Sequence, residues 1–219
     1  MKFGWFMTQH YIVMADVVRS TSYDGNELMG EFKRIVEECN YAHRDTLLSP
    51  FTITLGDEFQ GVAASLSAAV DSILFLEDRT LTVQPVFSLR YVLVYGAIDT
   101  PINPTIAHGM VGSGLTSARE MLTKKRRGRP RFQLDLGGGA YTEELRMVFR
   151  LLELLSTHWK EKDYILIREL LWGSDDKEVA LRFGKTASQI WKRKKTLQIE
   201  EYLIAKELLR QTVNRCEGK

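Results

Sequence analysis

Two acidic residues in apolar surroundings are the strongest candidates for chemistry in this sequence. Asp16 interrupts the apolar stretch 11–18, YIVMADVV, and Asp57 follows Gly56 in the stretch 51–62, FTITLGDEFQGV. A carboxylate inside a buried strand is costly unless a cation or hydrogen bonds satisfy it. We therefore expect Asp16 and Asp57 to face each other and to share a divalent cation, Mg²⁺ or Mn²⁺, with no organic cofactor.

Three further charged residues are candidate members of the same site. Glu58 is a candidate base or third metal ligand, and Arg19 and Arg90 are candidate phosphate ligands, because arginine pairs with phosphate through two hydrogen bonds. Each residue also has a structural alternative. Asp57 can cap its turn, Asp16 can pair with Arg90 or Arg19, and Glu58 can be a solvated turn residue.

The composition indicates a globular protein with a hydrophobic core and argues against disulfide-rich, zinc-binding and membrane-spanning proteins. The 219 residues, 44% of them hydrophobic, suffice for one large domain or two modest ones with a real core. Cys39 and Cys216 are the two cysteines, and the four histidines lack metal-ligand spacing, so neither a disulfide framework nor a zinc site is predicted. No apolar run has the length of a membrane span. We expect a cytoplasmic protein without a membrane partner.

Hydrophobic periodicity predicts an α+β region in the first part of the chain. Strands are predicted at 11–18, in a hairpin over about 51–64, at 86–98 and at 131–136. Helices are predicted from an Asn26 cap to about residue 47, from 66 to 76, and from 115 to about 125. The order β-α-β-β-α-β-α-β predicts a ferredoxin-like or palm-like, mainly antiparallel sheet with helices on one face.

Three glycines at 137–139 mark the predicted domain boundary. We divide the chain into an α+β domain of residues 1–136, a linker of residues 137–140 and an all-α domain of residues 141–219. Helices are predicted over 141–155, over 164–171 and from Asp175 onward.

The spacing after Asp176 predicts a helix-turn-helix. The fifth, ninth and fifteenth positions are Ala180, Gly184 and Ile190, which suit the small, positive-φ and buried positions of that motif. The side chains predicted to contact DNA from the second helix are Thr186, Ser188, Gln189, Lys192, Arg193 and Lys195. The apolar residues predicted to add to the core are Val179, Leu181 and Trp191. A helical bundle that uses this geometry for protein contacts is the alternative.

A basic run at 124–131, KKRRGRPR, is a second candidate nucleic-acid contact. Its Arg-Gly-Arg-Pro core resembles part of an AT-hook, in which Arg127 and Arg129 would enter a narrow minor groove. A clamp for polyphosphate and a solvated basic turn are the alternatives.

Several local strings resemble known families. The string Gly56-Asp57-Glu58-Phe59 shares four of the five letters of the GGDEF motif, and its setting resembles the palm domain of class III nucleotide cyclases and diguanylate cyclases. The combination of the first-strand aspartate with ITLGDEFQG, RYVLVYGAI and SGLTSARE resembles the SatD family of bacterial proteins.

These resemblances imply a palm-like fold, two cations that activate a ribose hydroxyl, and a C-terminal helix-turn-helix. They also imply catalytic roles for Asp16, Asp57, Glu58 and Arg119, the last at the position of a phosphate-binding arginine. Ile53 stands where class III cyclases carry a base-selecting lysine, and Leu115 stands where they carry a ribose-binding asparagine.

The sequence thus predicts a bacterial regulator in which nucleotide and metal binding alters how a DNA-binding domain is presented. A single helix-turn-helix makes few contacts, so we expect a homodimer on a two-fold DNA site. Two alternatives remain. One is a metal-dependent nucleotidyl cyclase or nucleotidyltransferase that uses a nucleoside triphosphate, and the other is a ligand-free structural palm domain in a DNA- or protein-binding protein.

Overall fold

A computed structural model describes residues 8–54, 56–124, 128–173 and 175–218. The strands are β1 (Thr8–Val17), β2 (Leu47–Ile53), β3 (Glu58–Ala63), β4 (Leu89–Ile98) and β5 (Phe132–Asp135). The helices are α1 (Gly25–Ala42), α2 (Leu66–Thr80), α3 (Ser113–Thr123), α4 (Ala140–Ser156), α5 (Tyr164–Leu171), α6 (Asp176–Arg182), α7 (Ala187–Thr196) and α8 (Ile199–Cys216). The predicted order of elements is confirmed as far as α7, and α8 was not predicted.

The limits of the first helix differ from the prediction at both ends. The N-cap is Asp24 instead of Asn26, since its carboxylate accepts hydrogen bonds from the backbone N–H groups of Asn26 and Glu27 at 3.0 and 3.1 Å. The helix ends at Ala42, and β2 begins at Leu47. The strand therefore contains Pro50, which an edge strand tolerates because one row of its N–H groups has no strand partner.

The sheet has the strand order β2-β3-β1-β4-β5. The pair β4–β5 is parallel and the other pairs are antiparallel, so the predicted mainly antiparallel sheet is confirmed. The predicted covering by helices on one face is wrong. Val13 and Ala15 of β1 share a core with α1 and α2, whereas Ile12 and Met14 share a second core with α3. A central strand that is apolar on both sides requires a covered sheet on both faces.

Helix α3 lies close to β4 because glycines face each other where they cross. A Cβ atom built on Gly96 would lie 2.6 Å from the Cα atom of Gly114, which is closer than real Cβ atoms approach. Gly112 and Gly114 therefore serve close packing of the α3 backbone on the backbone of β4.

Helices α4 and α8 run antiparallel to each other. The carboxylate of Glu144, near the start of α4, accepts a hydrogen bond from the Thr212 hydroxyl near the end of α8 at 3.2 Å. Beyond the other end of α4, the indole N–H of Trp159 donates to the carbonyl of Leu197, which precedes α8, at 2.9 Å. The two contacts fix the relative register of the helices.

One hydrophobic core extends across the glycines at 137–139. It runs from Val13 of β1 through Phe132 of β5 to Phe149 of α4 and Val213 of α8. Ion pairs reinforce it, since the Lys206 ammonium of α8 lies 2.6 and 2.8 Å from the carboxylate oxygens of Asp78 in α2. The domain boundary at 137–140 stays a prediction. Residues before it and residues after it contribute buried side chains to the same core.

The Lys206–Asp78 pair gives a test of this shared core. Breaking a buried ion pair leaves a charge without its partner, so Lys206→Met is expected to lower the free energy of unfolding by about 2 to 3 kcal/mol. Urea denaturation should show a single transition with a lower midpoint. The matched control is Arg210→Met, which removes an exposed pair with Asp71 in the same contact of α2 with α8 and should cost less than about 1 kcal/mol.

The stability lost in Lys206→Met should also depend on pH. Burial raises the pKa of the Asp78 carboxyl and the ammonium of Lys206 opposes that rise, so Lys206→Met should raise this pKa further. A carboxyl whose pKa is higher in the folded state loses stability as pH rises through that pKa. The stability difference between wild type and variant should therefore widen from about pH 4 upward. A constant difference over this range would contradict the assignment.

Candidate functional site

A row of charged side chains crosses three neighbouring strands at one end of the sheet. Asp16 of β1 lies opposite Glu58 of β3 on one side and opposite Arg90 of β4 on the other. All three lie on the face covered by α3, because they follow the alternation that places Met14 and Val92 in that core. Side chains of neighbouring strands on one face of a sheet interact directly. Each charged side chain of this row is therefore stabilised or destabilised by the charges beside it.

Asp16 is buried and pairs with Arg90 through two hydrogen bonds. Arg90 donates from Nε to one carboxylate oxygen at 3.0 Å and from Nη2 to the other. Such two-point pairs are among the stronger interactions of a carboxylate. The structural alternative for Asp16, pairing with Arg90, is therefore present, and the acid directly beside Asp16 in the register is Glu58.

Glu58 is held from the helix side. The Arg119 guanidinium of α3 donates from Nη1 to the Glu58 carboxylate and from Nη2 to the side-chain oxygen of Gln60 at 3.1 Å. The Gln60 amide in turn donates to the carbonyl of Ala107. Glu58 is thus not a solvated turn residue, and Arg119 links β3 to α3.

Gln60 is a member of this network that the sequence analysis missed. It lies two residues from both Glu58 and Val62, on the same face of β3, and it is buried. The available signal was a polar residue at an inward position of an otherwise apolar strand. Such a residue needs hydrogen-bond partners, and here they come from α3 and from the segment 99–112.

Asp57 lies in the turn between β2 and β3. Its backbone carbonyl accepts a hydrogen bond from the N–H of Val17 at 3.1 Å, which joins the turn to the end of β1. A cleft of about 570 Å³ opens beside this contact. The charged residues that line it are Asp16, Asp57, Glu58, Arg19 and Arg90. The structure therefore brings five of the six predicted palm-site residues to one place, with Arg119 behind Glu58.

Arg19 enters the cleft from a backbone conformation that is unusual for its type. Its φ of 56° lies in the left-handed region, which costs a residue with a Cβ roughly 1 kcal/mol. Within the described ranges its guanidinium forms no ion pair. Ser20 and Thr21 follow in a short 3₁₀ turn and also line the cleft, as does Thr123 at the end of α3. The sequence analysis assigned no role to these three hydroxyls.

The acids of the cleft suit a cation that arrives with a phosphate ligand. Among the residues the structure describes, no three side chains of the His, Cys, Asp or Glu type are grouped so that they could hold a metal ion. Mg²⁺ commonly uses one or two carboxylates and takes its other ligands from phosphate oxygens and water. Asp16 and Asp57 both line the cleft, and both carboxylate oxygens of Asp16 accept hydrogen bonds from Arg90.

The residues predicted to form a helix-turn-helix lie in α6, in α7 and in the turn between them. Ala180 and Ile190 are buried, and Gly184 has a φ of 60°, so all three local predictions are confirmed. Two predictions of core residues are wrong. Leu181 is 84% exposed and Trp191 is 53% exposed, because each of these short helices turns only one side inward.

Most of the polar residues predicted to contact DNA have partners within the chain. Thr186 and Gln189 form the capping box of α7, since each side chain accepts a hydrogen bond from the backbone N–H of the other residue. Arg193 pairs with the buried Asp163 at 2.6 Å. Lys195 pairs with Glu200 on the surface.

Two residues of the predicted set remain on the outer side of α7. Ser188 and Lys192 are exposed, and neither side chain forms a hydrogen bond or ion pair with another described residue. They flank Trp191 on that side. Lys185, which was not in the predicted set, is exposed in the turn before α7.

The structure describes one of the two arginines of the predicted AT-hook. Arg127 lies outside the described residues. Arg129 donates from Nη1 to the carbonyls of Met121 and Lys124 at 3.0 and 2.8 Å, so it binds the C-terminal end of α3. A DNA contact by either arginine stays a prediction.

None of the helices in the described part of the chain combines the length and the apolar character that a membrane span requires.

Comparison with known proteins gives similar solved structures at low identity, and no match among curated protein sequences. A bacterial light-regulated adenylyl cyclase is 15% identical with a TM-score of 0.45, over 58% of this chain and 43% of the cyclase chain. The monomeric guanylyl cyclase domain of the RhoGC fusion protein from the aquatic fungus Blastocladiella emersonii is 12% identical with a TM-score of 0.39, over 55% of this chain and 77% of that domain.

The family model for the SatD family matches residues 11–213. The match spans the sheet, the cleft and the helices that follow. This chain belongs to the SatD family.

Proposed function

We propose that this SatD-family protein is a regulator whose cleft binds a nucleoside triphosphate with Mg²⁺ or Mn²⁺ and whose α6–α7 pair contacts DNA. One observation carries the first half of the proposal. Three carboxylates and two guanidiniums from three separate parts of the chain line a single cleft. A cation and a phosphate chain together match that mixture of charges, because carboxylates suit the cation and guanidiniums suit the phosphate oxygens.

Ligand binding at this cleft is an exchange of partners. Arg90 binds Asp16 in the structure, and both groups prefer ions that a metal–triphosphate complex supplies. The cation takes Asp16 together with Asp57, while the phosphate oxygens take Arg90 and Arg19. Because Asp16 and Arg90 each exchange one partner for another, neither is left as a lone desolvated charge. Metal and nucleotide are therefore expected to bind together and weakly or not at all alone.

The proposal is binding without turnover. A catalytic role would require Arg119 to reach the phosphate at which the reaction occurs. Its guanidinium instead contacts Glu58 and Gln60, and it does not line the cleft. The cyclase or nucleotidyltransferase alternative requires this arginine to leave both partners.

Support for DNA binding comes from the outer side of α7. Gly184 sets the turn, and Ala180 and Ile190 let the two helices approach, as in DNA-binding helix pairs. Lys185 and Lys192 lie exposed on this part of the surface. A lysine without an internal partner is available to a phosphate, which makes these two the main electrostatic contacts.

A packed route connects the cleft with the helical part of the chain. Arg90 in the cleft is followed by Tyr91, whose ring stacks on Phe132 of β5 with centroids 5.4 Å apart. Phe132 stacks on Phe149 of α4 at 4.9 Å. A change at Arg90 that alters the position of the neighbouring Tyr91 ring would reach α4 through this contiguous stack, which supports regulation of one part by the other.

The nucleotide proposal predicts a metal-dependent binding signal. Isothermal calorimetry with each of the four ribonucleoside triphosphates should show binding by the wild type in Mg²⁺ and none in excess EDTA. Asp57→Asn should weaken binding at least about tenfold, or about 1.4 kcal/mol, because one metal ligand loses its charge. The control Asp45→Asn alters a highly exposed carboxylate outside the cleft and should bind as the wild type does.

The same samples separate the alternatives. Absence of a signal for all four triphosphates would leave the ligand-free structural palm domain. Conversion of the triphosphate to a new product, detected by chromatography after incubation, would establish the enzyme alternative instead.

The DNA proposal predicts a loss of affinity that depends on salt. Lys185→Glu with Lys192→Glu should weaken binding to duplex DNA in fluorescence anisotropy and reduce the salt slope by about two, one for each phosphate contact. Lys33→Glu, at an exposed lysine of α1, is the control for each of the two single variants, since it makes the same change in net charge, and it should bind as the wild type does. Wild-type binding by the double variant would exclude α7 as the DNA contact.

A further inference from the structure

A second cleft, of about 400 Å³, lies along one side of α7. Helix α7 lines it with Gln189 and Arg193, which stand four residues apart and therefore on one side of the helix. The 3₁₀ turn that leads into α5 lines it with Lys162 and Asp163. Lys185 lines it from the turn between α6 and α7. We call this space the α5–α7 cleft.

Positive charge exceeds negative charge in the α5–α7 cleft. Asp163 is the one acid among the described residues that line it, and its carboxylate pairs with the guanidinium of Arg193 at 2.6 Å. Lys162 and Lys185 are exposed, and neither side chain forms an ion pair or a hydrogen bond with another residue that the structure describes. Two positive charges of the cleft therefore have no partner within the described chain, which suits the cleft to an anion.

The ion pair with Asp163 also positions the arginine. Asp163 is 7% exposed, so its carboxylate is a fixed anchor within the fold. One nitrogen of Arg193 contacts this carboxylate, and a guanidinium carries five N–H donors. The side chain of Arg193 is 35% exposed, which leaves N–H donors for an acceptor in the cleft. An arginine held in place beside lysines suits a phosphate group, because its planar donors match the phosphate oxygens.

We propose that a phosphate group of the DNA backbone lies in the α5–α7 cleft, where it contacts Lys162, Lys185 and Arg193. This inference rests on the proposed contact of α7 with DNA, and it adds a contact from outside the α6–α7 pair. Lys162 is that added contact.

The geometry of a helix bound to DNA places a backbone at this cleft. The major groove is about 12 Å wide and an α-helix with its side chains is about 10 to 12 Å across, so a sugar–phosphate backbone runs along each side of the bound helix. Ser188 and Lys192 follow the outer side of α7, and Gln189 and Arg193 follow the adjacent side. With the outer side in the groove, the α5–α7 cleft faces the neighbouring backbone.

The position of Lys185 favours a nucleic acid over a small anion as the occupant. This lysine lines the cleft and also lies on the surface proposed to contact DNA. A ligand that meets both surfaces has to be extended and has to carry repeated negative charge. A DNA backbone has both properties, whereas a single phosphate ion reaches the cleft alone.

The first test is the salt dependence of DNA binding in fluorescence anisotropy. Lys162→Gln should weaken binding by a similar factor on duplexes of different sequence, because a phosphate contact carries no sequence information. It should also reduce the slope of log K against log salt concentration by about 0.9, the value for one phosphate contact. Lys162→Arg keeps the charge and should keep the wild-type slope. The matched control is Lys160→Gln, at an exposed lysine two residues away that does not line the cleft, and it should also keep that slope.

The outcomes separate this inference from the proposed function. Absence of DNA binding by the wild type would overturn both. Binding by the wild type with an unchanged slope in Lys162→Gln would overturn this inference and leave the contact of α7 with DNA in place. An equal loss of slope in Lys160→Gln would also overturn it, because the effect would then belong to the general charge of the surface.

A second test uses the unmodified protein. Limited acetylation of lysine side chains, read by mass spectrometry, should show that saturating duplex DNA protects Lys162 and Lys185 but leaves Lys160 reactive. Inorganic phosphate at the same phosphate concentration should protect none of the three. Acetylation of Lys162 at the same rate with and without DNA would overturn the inference, and so would equal protection of Lys162 by inorganic phosphate, which would identify a site for a small anion.

Discussion

The burial of a negative charge near the end of the central strand, β1, is the constraint on which the rest of the site depends. Asp16 is on a strand with neighbours on both sides and is only 8% exposed, so water stabilises its charge only in part and the protein must supply the rest. Arg90 does so from one adjacent strand. Glu58, on the other adjacent strand, adds a second negative charge, which α3 compensates through Arg119. The position of α3 on this face of the sheet is thus tied to the charges beneath it.

Sequence patterns recovered the local features of this fold and site. The order of strands and helices, the hairpin at Asp57, and the roles of Ala180, Gly184 and Ile190 follow from periodicity and from the conformational freedom of glycine. The partner of Asp16 was left open among several choices. It depends on cross-strand register, which pairs residues 74 positions apart and has no signature in the neighbouring sequence.

The errors have specific physical causes. Helix α6 is seven residues long, so the pattern of Val179 and Leu181 could not show which side faces inward. Polar residues of α7 such as Gln189 and Arg193 look suited to DNA, yet capping and ion pairing satisfy the same hydrogen-bonding groups inside the protein. Residue type therefore indicates what a side chain is able to bind, and only the folded structure shows whether that capacity is already used.

The glycine contact between β4 and α3 limits how this protein can change shape. Gly96 and Gly114 bring the two backbones so close together that the N-terminal end of α3 is held against β4. The contact lies at the N-terminal end of α3, whereas Leu122 and Thr123 at its other end line the cleft. A widening of the cleft at the hairpin turn that carries Asp57, or at the segment that carries Arg19, leaves the glycine contact in place. A methyl group at position 96 or 114 would push α3 away from β4. Arg119, which α3 carries, would then be drawn away from Glu58.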